Sequence, residues 1–217
     1  MAASFQRMRD RLYAAVVCDA LDSIGLRHQS PCVPMPPQTC GQQVLVGRCK
    51  TTLWEDLQAE DPSPYELELR AVDECQPDDV FIAATNQSSS SGIWGELLTT
   101  AAINGGCVGA VTDGAVRDVT KIEEMNFPVF ATTTCVYDSL HRQRVVDLNL
   151  PVDIGGVIFS PGDLLIADRD GMVVVPQAVE DEVIQRAFEK VEGENATRIA
   201  IKKGMKATEA YQTFGVL

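Results

Sequence analysis

The sequence is poor in the residues that build the commoner catalytic and metal centres. Its 217 residues include only two histidines, His28 and His141, which lie far apart. Seven cysteines (Cys18, Cys32, Cys40, Cys49, Cys75, Cys107 and Cys135) are scattered without a C-x-x-C pair. Neither a zinc site nor a disulfide framework is expected from such spacing, and buried free thiols are. Positive charge is also scarce: 18 Lys and Arg stand against 31 Asp and Glu, a net charge of −13. Nucleic acid and anionic membrane surfaces need clustered cations, so neither is an expected partner. A small anionic substrate would need local positive groups or a metal to offset the overall field. No apolar run approaches the ~20 residues of a membrane span, and no apolar signal region opens the chain, so a cytoplasmic protein is expected. G-x-S-x-G, P-loop and H-E-x-x-H motifs are absent. Gly105-Gly106 and Gly109 close a helix and begin a strand, the reverse of a dinucleotide fingerprint.

What is present is an ordinary globular composition, 45% hydrophobic and 23% charged, and a single α/β domain over residues 1–217 is expected. Phe5, Met8, Leu12, Ala15, Val16 and Leu21 recur at helical spacing and predict one opening helix from Ser4 to Ile24. Four prolines between Ser30 and Gln38 predict an irregular connection, and Val44 to Lys50 a strand. Ser63-Pro64-Tyr65-Glu66 reads as a capping box opening a helix that runs to about Cys75. A βαβ rhythm follows: strand 80–84, a polar loop 86–92, helix 93–104, strand 107–112, a turn and brief helix from Asp113 to about Asn126, and strand 128–131. Such alternation implies a sheet with parallel pairs. Short strands over 145–149, 156–159, 163–167 and 172–175 come next. Pro161-Gly162 and Asp170-Gly171 are read as tight antiparallel connections. A long protruding helix, 178–203, and a last turn or two from Thr208 to Phe214 complete the chain, and the narrow apolar stripe of the long helix suits packing on another subunit.

Chemistry concentrates between Gly95 and Asp118. A helix that starts after a Gly/Ser-rich loop presents unpaired N–H groups and the positive end of its dipole, which receive a carboxylate or phosphate. Gly95 permits close approach, and the N–H groups of Leu97 and Leu98 would face the ligand. Glu96 sits beside that anion site, where it would serve a metal, a water or a proton; it equally suits a plain loop–helix junction. Twenty residues separate Glu96 from Arg117-Asp118. Arg117 offers a planar fork for a carboxylate, and Asp118 one hard oxygen ligand of the kind Mg²⁺ takes alongside several waters. A surface ion pair, or Asp118 capping the next helix, fits the same residues. Asp113-Gly114, Asp168 and Asp170-Gly171 read most simply as turns, His141 with Arg142 and Arg144 as a solvated loop, and Asp19, Glu192 and Glu194 as capping, intersubunit or exposed helix acids.

Gly95-Glu96-Leu97-Leu98, the run from Val111 to Asp118 and Phe127-Pro128-Val129-Phe130-Ala131 resemble the RraA-like proteins. Gly155-Gly156-Val157, Ser160 to Asp163 and Ala167 to Gly171 match a later segment, and Asp19 to Asp22, Glu194 to Arg198 and Gly204-Met205 extend the resemblance to nearly the whole chain. Within that family, the metal-dependent 4-hydroxy-4-methyl-2-oxoglutarate aldolases are most similar. The resemblance implies a swivelling β/β/α fold assembled as a homotrimer or a hexamer of two trimers, with active sites between subunits. It implies that Gly95 to Leu98 hold a pyruvate moiety, that Arg117 binds substrate oxygens, and that Asp118 holds Mg²⁺ or Mn²⁺. Glu194 matches an acid supplied by the adjacent subunit. Glu96 stands where those aldolases carry Asp, one methylene shorter. The implied activity is cleavage of a 2-oxo acid to pyruvate, with oxaloacetate decarboxylation at its side. The family also contains regulators that bind RNase E, and same-fold enzymes acting on other hydroxy or sugar acids are a further alternative.

Overall fold

In the computed structural model, which describes residues 4–216, the predicted opening helix is two helices, α1 (Phe5–Arg11) and α2 (Ala14–Ser23). Leu12 and Tyr13 between them are extended. The break has a distant cause: the Asp168 carboxylate accepts the Ala14 N–H at 2.7 Å and supplies the first-turn partner that α2 lacks locally. Asp168 also accepts the Asp170 N–H at 2.9 Å, so its turn role is joined by a capping role.

The connection after α2 ends in a short edge strand, β1 (Pro37–Thr39), where proline is tolerated. Strand β2 (Leu45–Asp56) is twelve residues long and runs well past Lys50. Its middle reads as polar, yet Thr51 and Thr52 are fully buried, because their hydroxyls donate to the carbonyls of Leu150 and Ile82. Helix α3 (Glu66–Asp73) starts later than its sequence suggests, since Tyr65 sits at the N-cap in a left-handed conformation (φ 66°) and no side chain caps the helix. The Ser63 capping box is therefore not formed. Strand β3 (Asp79–Ala84) follows, then β4 (Gly92–Trp94), which occupies what the sequence predicts as the first helical turn. Helix α4 (Glu96–Asn104), strand β5 (Gly109–Val116), helix α5 (Val119–Glu124) and strand β6 (Val129–Thr134) continue the alternation. Strands β7 (Gln143–Leu148), β8 (Val152–Ile154), β9 (Val157–Phe159), β10 (Leu164–Asp168) and β11 (Gly171–Val175) lead to α6 (Glu180–Lys202) and α7 (Ala207–Phe214).

The main sheet runs β1-β6-β5-β3-β2-β10-β11, with β4 paired to β5 and β7 to β2. Its centre (β2, β3, β5, β6) is parallel, as the alternation implies, while β10 and β11 form an antiparallel hairpin across Asp170-Gly171. Pro161-Gly162 does not close a hairpin: β9 pairs with β8 in a separate two-stranded sheet, so that turn carries the chain between sheets.

Period-two alternation sorts the strand side chains between layers. Phe81 and Ala83 of β3 pack with α3, α4 and α5, whereas Val80, Ile82 and Ala84 pack beneath the β8–β9 sheet. The result is the β/β/α layering the resemblance implies. Helices α1, α2 and α6 cover the β10–β11 end, burying Leu164, Ile166, Val183, Ala187 and Phe188. The first half of α6 is thus part of the core and does not protrude. All seven cysteines are free, four of them buried.

Candidate active site

Arg117 and Asp118 follow β5 directly, at the carboxyl end of the parallel strands, where α/β folds gather ligands. Strand β4 runs parallel to the end of β5, and the Arg117 N–H donates to the Trp94 carbonyl at 2.8 Å. This pairing places Gly95 against the Arg-Asp pair. Asp118 stands at the N-cap of α5 in a left-handed conformation (φ 57°), which aspartate tolerates better than most residues. Its side chain makes no capping bond to α5. It reaches across to α4 instead, and Oδ2 accepts the Glu96 N–H at 3.2 Å.

Gly95 itself is extended, so backbone strain does not require glycine there. Space does: a Cβ would stand 2.8 Å from Asp118 Oδ2 and 3.2 Å from Arg117 Cγ. The N-terminus of α4, the Arg117 fork and the Asp118 carboxylate thus meet over a side-chain-free residue.

These groups line a cleft of about 270 Å³ together with Tyr65, Glu68, Leu69, Leu97, Leu98, Asp138 and Ser139. The Glu96 carboxylate is not in its wall; it accepts the Thr100 hydroxyl at 3.1 Å, one turn along the helix. Glu194 lies on α6, away from this cleft, where it accepts the Tyr13 hydroxyl and stands 3.6 Å from Arg198. Asp113 forms no turn: it is buried inside β5, and its carboxylate accepts the N–H groups of Thr85 and Gln87. His141 Nδ1 accepts the Asp61 backbone N–H at 3.2 Å, and Arg144 pairs with Glu55 at 2.9 Å, so each has its own partner in a neighbouring segment.

Sequence reasoning missed the wall opposite Gly95. Asp138 takes Arg117 Nη1 at 2.9 Å, the Tyr65 hydroxyl at 2.7 Å and the Leu140 N–H at 2.9 Å. Burial raises the Asp138 carboxyl, but these three donors outweigh it and hold the group below its ordinary range. Burial, followed by the bond to Asp138, pushes the Tyr65 hydroxyl up to about 12. Glu68 is 5% exposed, with the Ser139 hydroxyl at 3.3 Å as its hydrogen-bond partner. Burial pushes it up to about 7, with the Asp138 charge adding to the rise and Ser139 and Arg117 opposing it. The left-handed backbone of Tyr65, rare for an aromatic residue, aims its ring at Asp138 and leaves no local pattern to read.

Glu68 also makes the fold sensitive to pH. Its folded value lies above its unfolded one, so its contribution is intact below about pH 4.5 and is lost as pH rises toward 7. Ionising it in place costs on the order of 3 kcal/mol. Glu68→Gln is therefore expected to melt higher than wild type at pH 8, with a smaller difference at pH 5. An equal difference at both pH values would contradict the buried, proton-holding state.

Among the described residues, no cluster of three His, Cys, Asp or Glu side chains is arranged to hold a metal, and no helix is long and apolar enough to cross a membrane. One carboxylate with water is nevertheless a donor set that Mg²⁺ accepts. Asp118 supplies that carboxylate, 40% exposed at the cleft, with Gly95 leaving the space beside it clear.

The RraA-like family model (Aldolase/RraA) matches residues 14–174. A protein of Halalkalibacterium halodurans named "Putative 4-hydroxy-4-methyl-2-oxoglutarate aldolase" is 34% identical over 143 residues, 66% of this chain and 68% of that one. The crystal structure of an uncharacterized Pseudomonas syringae protein superposes with a TM-score of 0.81 at 26% identity, covering 97% of this chain and 99% of that one. Streptomyces coelicolor RraAS2, described as an unusual member of the RNase ES inhibitor RraA protein family, superposes with a TM-score of 0.77 at 27% identity, covering 89% and 94%. With the family pattern extending over well more than half its length and the β/β/α layers in place, the chain belongs to the RraA-like family.

Proposed function

We propose that this protein is a divalent-metal-dependent pyruvate aldolase. It cleaves substrates of the 4-hydroxy-4-methyl-2-oxoglutarate type, and oxaloacetate decarboxylation accompanies this activity because loss of CO₂ leaves the same enolate. The observation that carries the reading is the meeting of the α4 N-terminus, Arg117 and Asp118 over Gly95. The first-turn N–H groups of Leu97 and Leu98 receive the substrate carboxylate with the help of the helix dipole. Arg117, held by Asp138, orients the 2-oxo acid end and neutralises charge as it develops. Asp118 would hold Mg²⁺ or Mn²⁺, which when bound supplies Lewis-acid stabilisation of the enolate oxygen. Glu96, whose carboxylate turns to Thr100 outside the cleft wall, is the group we assign to moving the proton of the C4 hydroxyl through an intervening water. The exposed side chains of Leu69, Leu97, Val136 and Tyr137 support assembly into a trimer or hexamer.

The likeness to RraAS2 supports one other reading, a regulator that binds RNase E. Both are tested by pyruvate release from 4-hydroxy-4-methyl-2-oxoglutarate and from oxaloacetate, with and without EDTA. Release abolished by EDTA and restored by Mg²⁺ or Mn²⁺ is the expected result. Release indifferent to chelation would defeat the metal mechanism, and no release combined with tight RNase E binding would favour the regulator.

A further inference from the structure

We infer that Glu68 is a catalytic acid–base residue of this cleft: it protonates the carbon left electron-rich by C–C cleavage and removes that proton in the reverse direction. The inference rests on the aldolase reading and extends it to a residue outside the Gly95–Asp118 segment. Heterolysis of the C3–C4 bond leaves its electron pair in the pyruvate enolate. The C4 hydroxyl loses its proton as its oxygen becomes a carbonyl. Pyruvate forms on the enzyme when one proton reaches C3, which requires a donor to C3 in the cleft, and the hydroxyl proton passed to solvent balances the one Glu68 takes back.

The other polar groups of the wall are committed elsewhere. Arg117 does not give up a proton in a protein. Asp138 is an acceptor holding three donors. The Tyr65 hydroxyl donates to Asp138 and is pushed up to about 12, so it keeps its proton. The Ser139 hydroxyl donates to Glu68. Asp118 accepts the Glu96 N–H. Glu68 is left as the buried carboxyl with a single, long hydrogen bond, and it lines the cleft beside Arg117 and Asp138. Its value of about 7 keeps both forms populated near neutrality, which suits a group that gives and takes a proton. The charged groups around it on the cleft side are Asp138 and Arg117, with the titratable Tyr65 beside them. A second cavity of about 320 Å³ on α3 and β7 adds Asp61, Glu66 and Arg144.

Exchange of the pyruvate methyl protons in D₂O, followed by ¹H NMR, reads this step without C–C cleavage. Glu68→Gln is expected to slow exchange by about 100-fold or more. Exchange should fall at least about tenfold further than oxaloacetate consumption, because enolpyruvate can leave and ketonise in water. Exchange within about threefold of wild type, or an equal fall in both rates, would overturn the assignment. The wild-type profile needs no variant: exchange should climb about tenfold per pH unit and level off above about pH 7. A flat profile from about pH 5.5 to 8.5 would also overturn it. Wild-type protein that neither exchanges pyruvate nor cleaves the oxo acid defeats the aldolase reading, and Glu68's role with it. Active wild type with an unaffected Gln variant defeats the Glu68 assignment alone.

Discussion

Gly95→Ala should lower pyruvate release by about 100-fold, since misplacing a reacting group by about an ångström has effects of that size. The added methyl would stand 2.8 Å from Asp118 Oδ2 and 3.3 Å from Arg117 Nε, so both side chains must move. Folding should be nearly unaffected, because Gly95 is extended and alanine adopts that backbone freely. Asp118→Ala should fall further, by about 1,000-fold, through outright loss of a charged group at the reacting centre. Because the methyl at residue 95 acts in part by displacing Asp118, the two changes share part of their cause. The double variant should therefore lose less than the product of the two single losses, the remainder being the displacement of Arg117. Steady-state pyruvate release from all four proteins, alongside their melting temperatures, decides this. Additive losses, or a Gly95→Ala enzyme near wild-type rate, would show that the site is not packed around a bare residue 95.

The largest expected loss of stability falls on a residue with no predicted role in the reaction. Asp113 is buried within β5 and accepts the Thr85 N–H at 2.6 Å, the Thr85 hydroxyl at 3.0 Å and the Gln87 N–H at 2.8 Å. Removing the carboxylate orphans these donors, each at about 1–3 kcal/mol when buried, so Asp113→Ala should destabilise the protein by about 3 kcal/mol or more. Asn86 and Gln87 are both left-handed and need an external anchor, which Asp113 provides. The same loop leads into β4 and so to Gly95. Denaturant unfolding should show a lowered midpoint with an unchanged slope. Asp113→Asn keeps an acceptor and should recover part of the loss. A variant as stable as wild type would mean that the loop is held by its other contacts, such as Ser88 and Ser90 on Asp56.

Several features were legible in the chain because they depend on local pattern. Apolar strands alternating with helices announced the parallel centre of the sheet, and Asp170-Gly171 announced its hairpin. Gly95 to Leu98 and Arg117-Asp118 were legible as a loop–helix junction and a post-strand turn, and the structure brings the two together through β4. Other features were hidden because their cause lies far along the chain. The break at Tyr13 depends on Asp168, and the buried polar middle of β2 depends on carbonyls of Leu150 and Ile82. Asp113-Gly114 looked like a turn because aspartate and glycine usually make one, yet three donors from the 85–87 segment keep that aspartate inside a strand.

By itself, then, the sequence determined most of the order of elements and the segment that carries the Arg-Asp pair, which follow from residue type and spacing within one stretch of chain. It did not determine β1, β4 or the break between α1 and α2. The family resemblance rests on motifs spread over nearly the whole chain. Only the tertiary structure decided that Glu96 turns along its helix toward Thr100, that Asp138 holds Arg117, and that Glu68 is shut into the wall of the cleft. The state of a carboxyl depends on how much water it has lost and which charges surround it. For Glu68 those neighbours come from the loop before β7 and the end of β5, some fifty to seventy residues away in the chain, where no local pattern reaches.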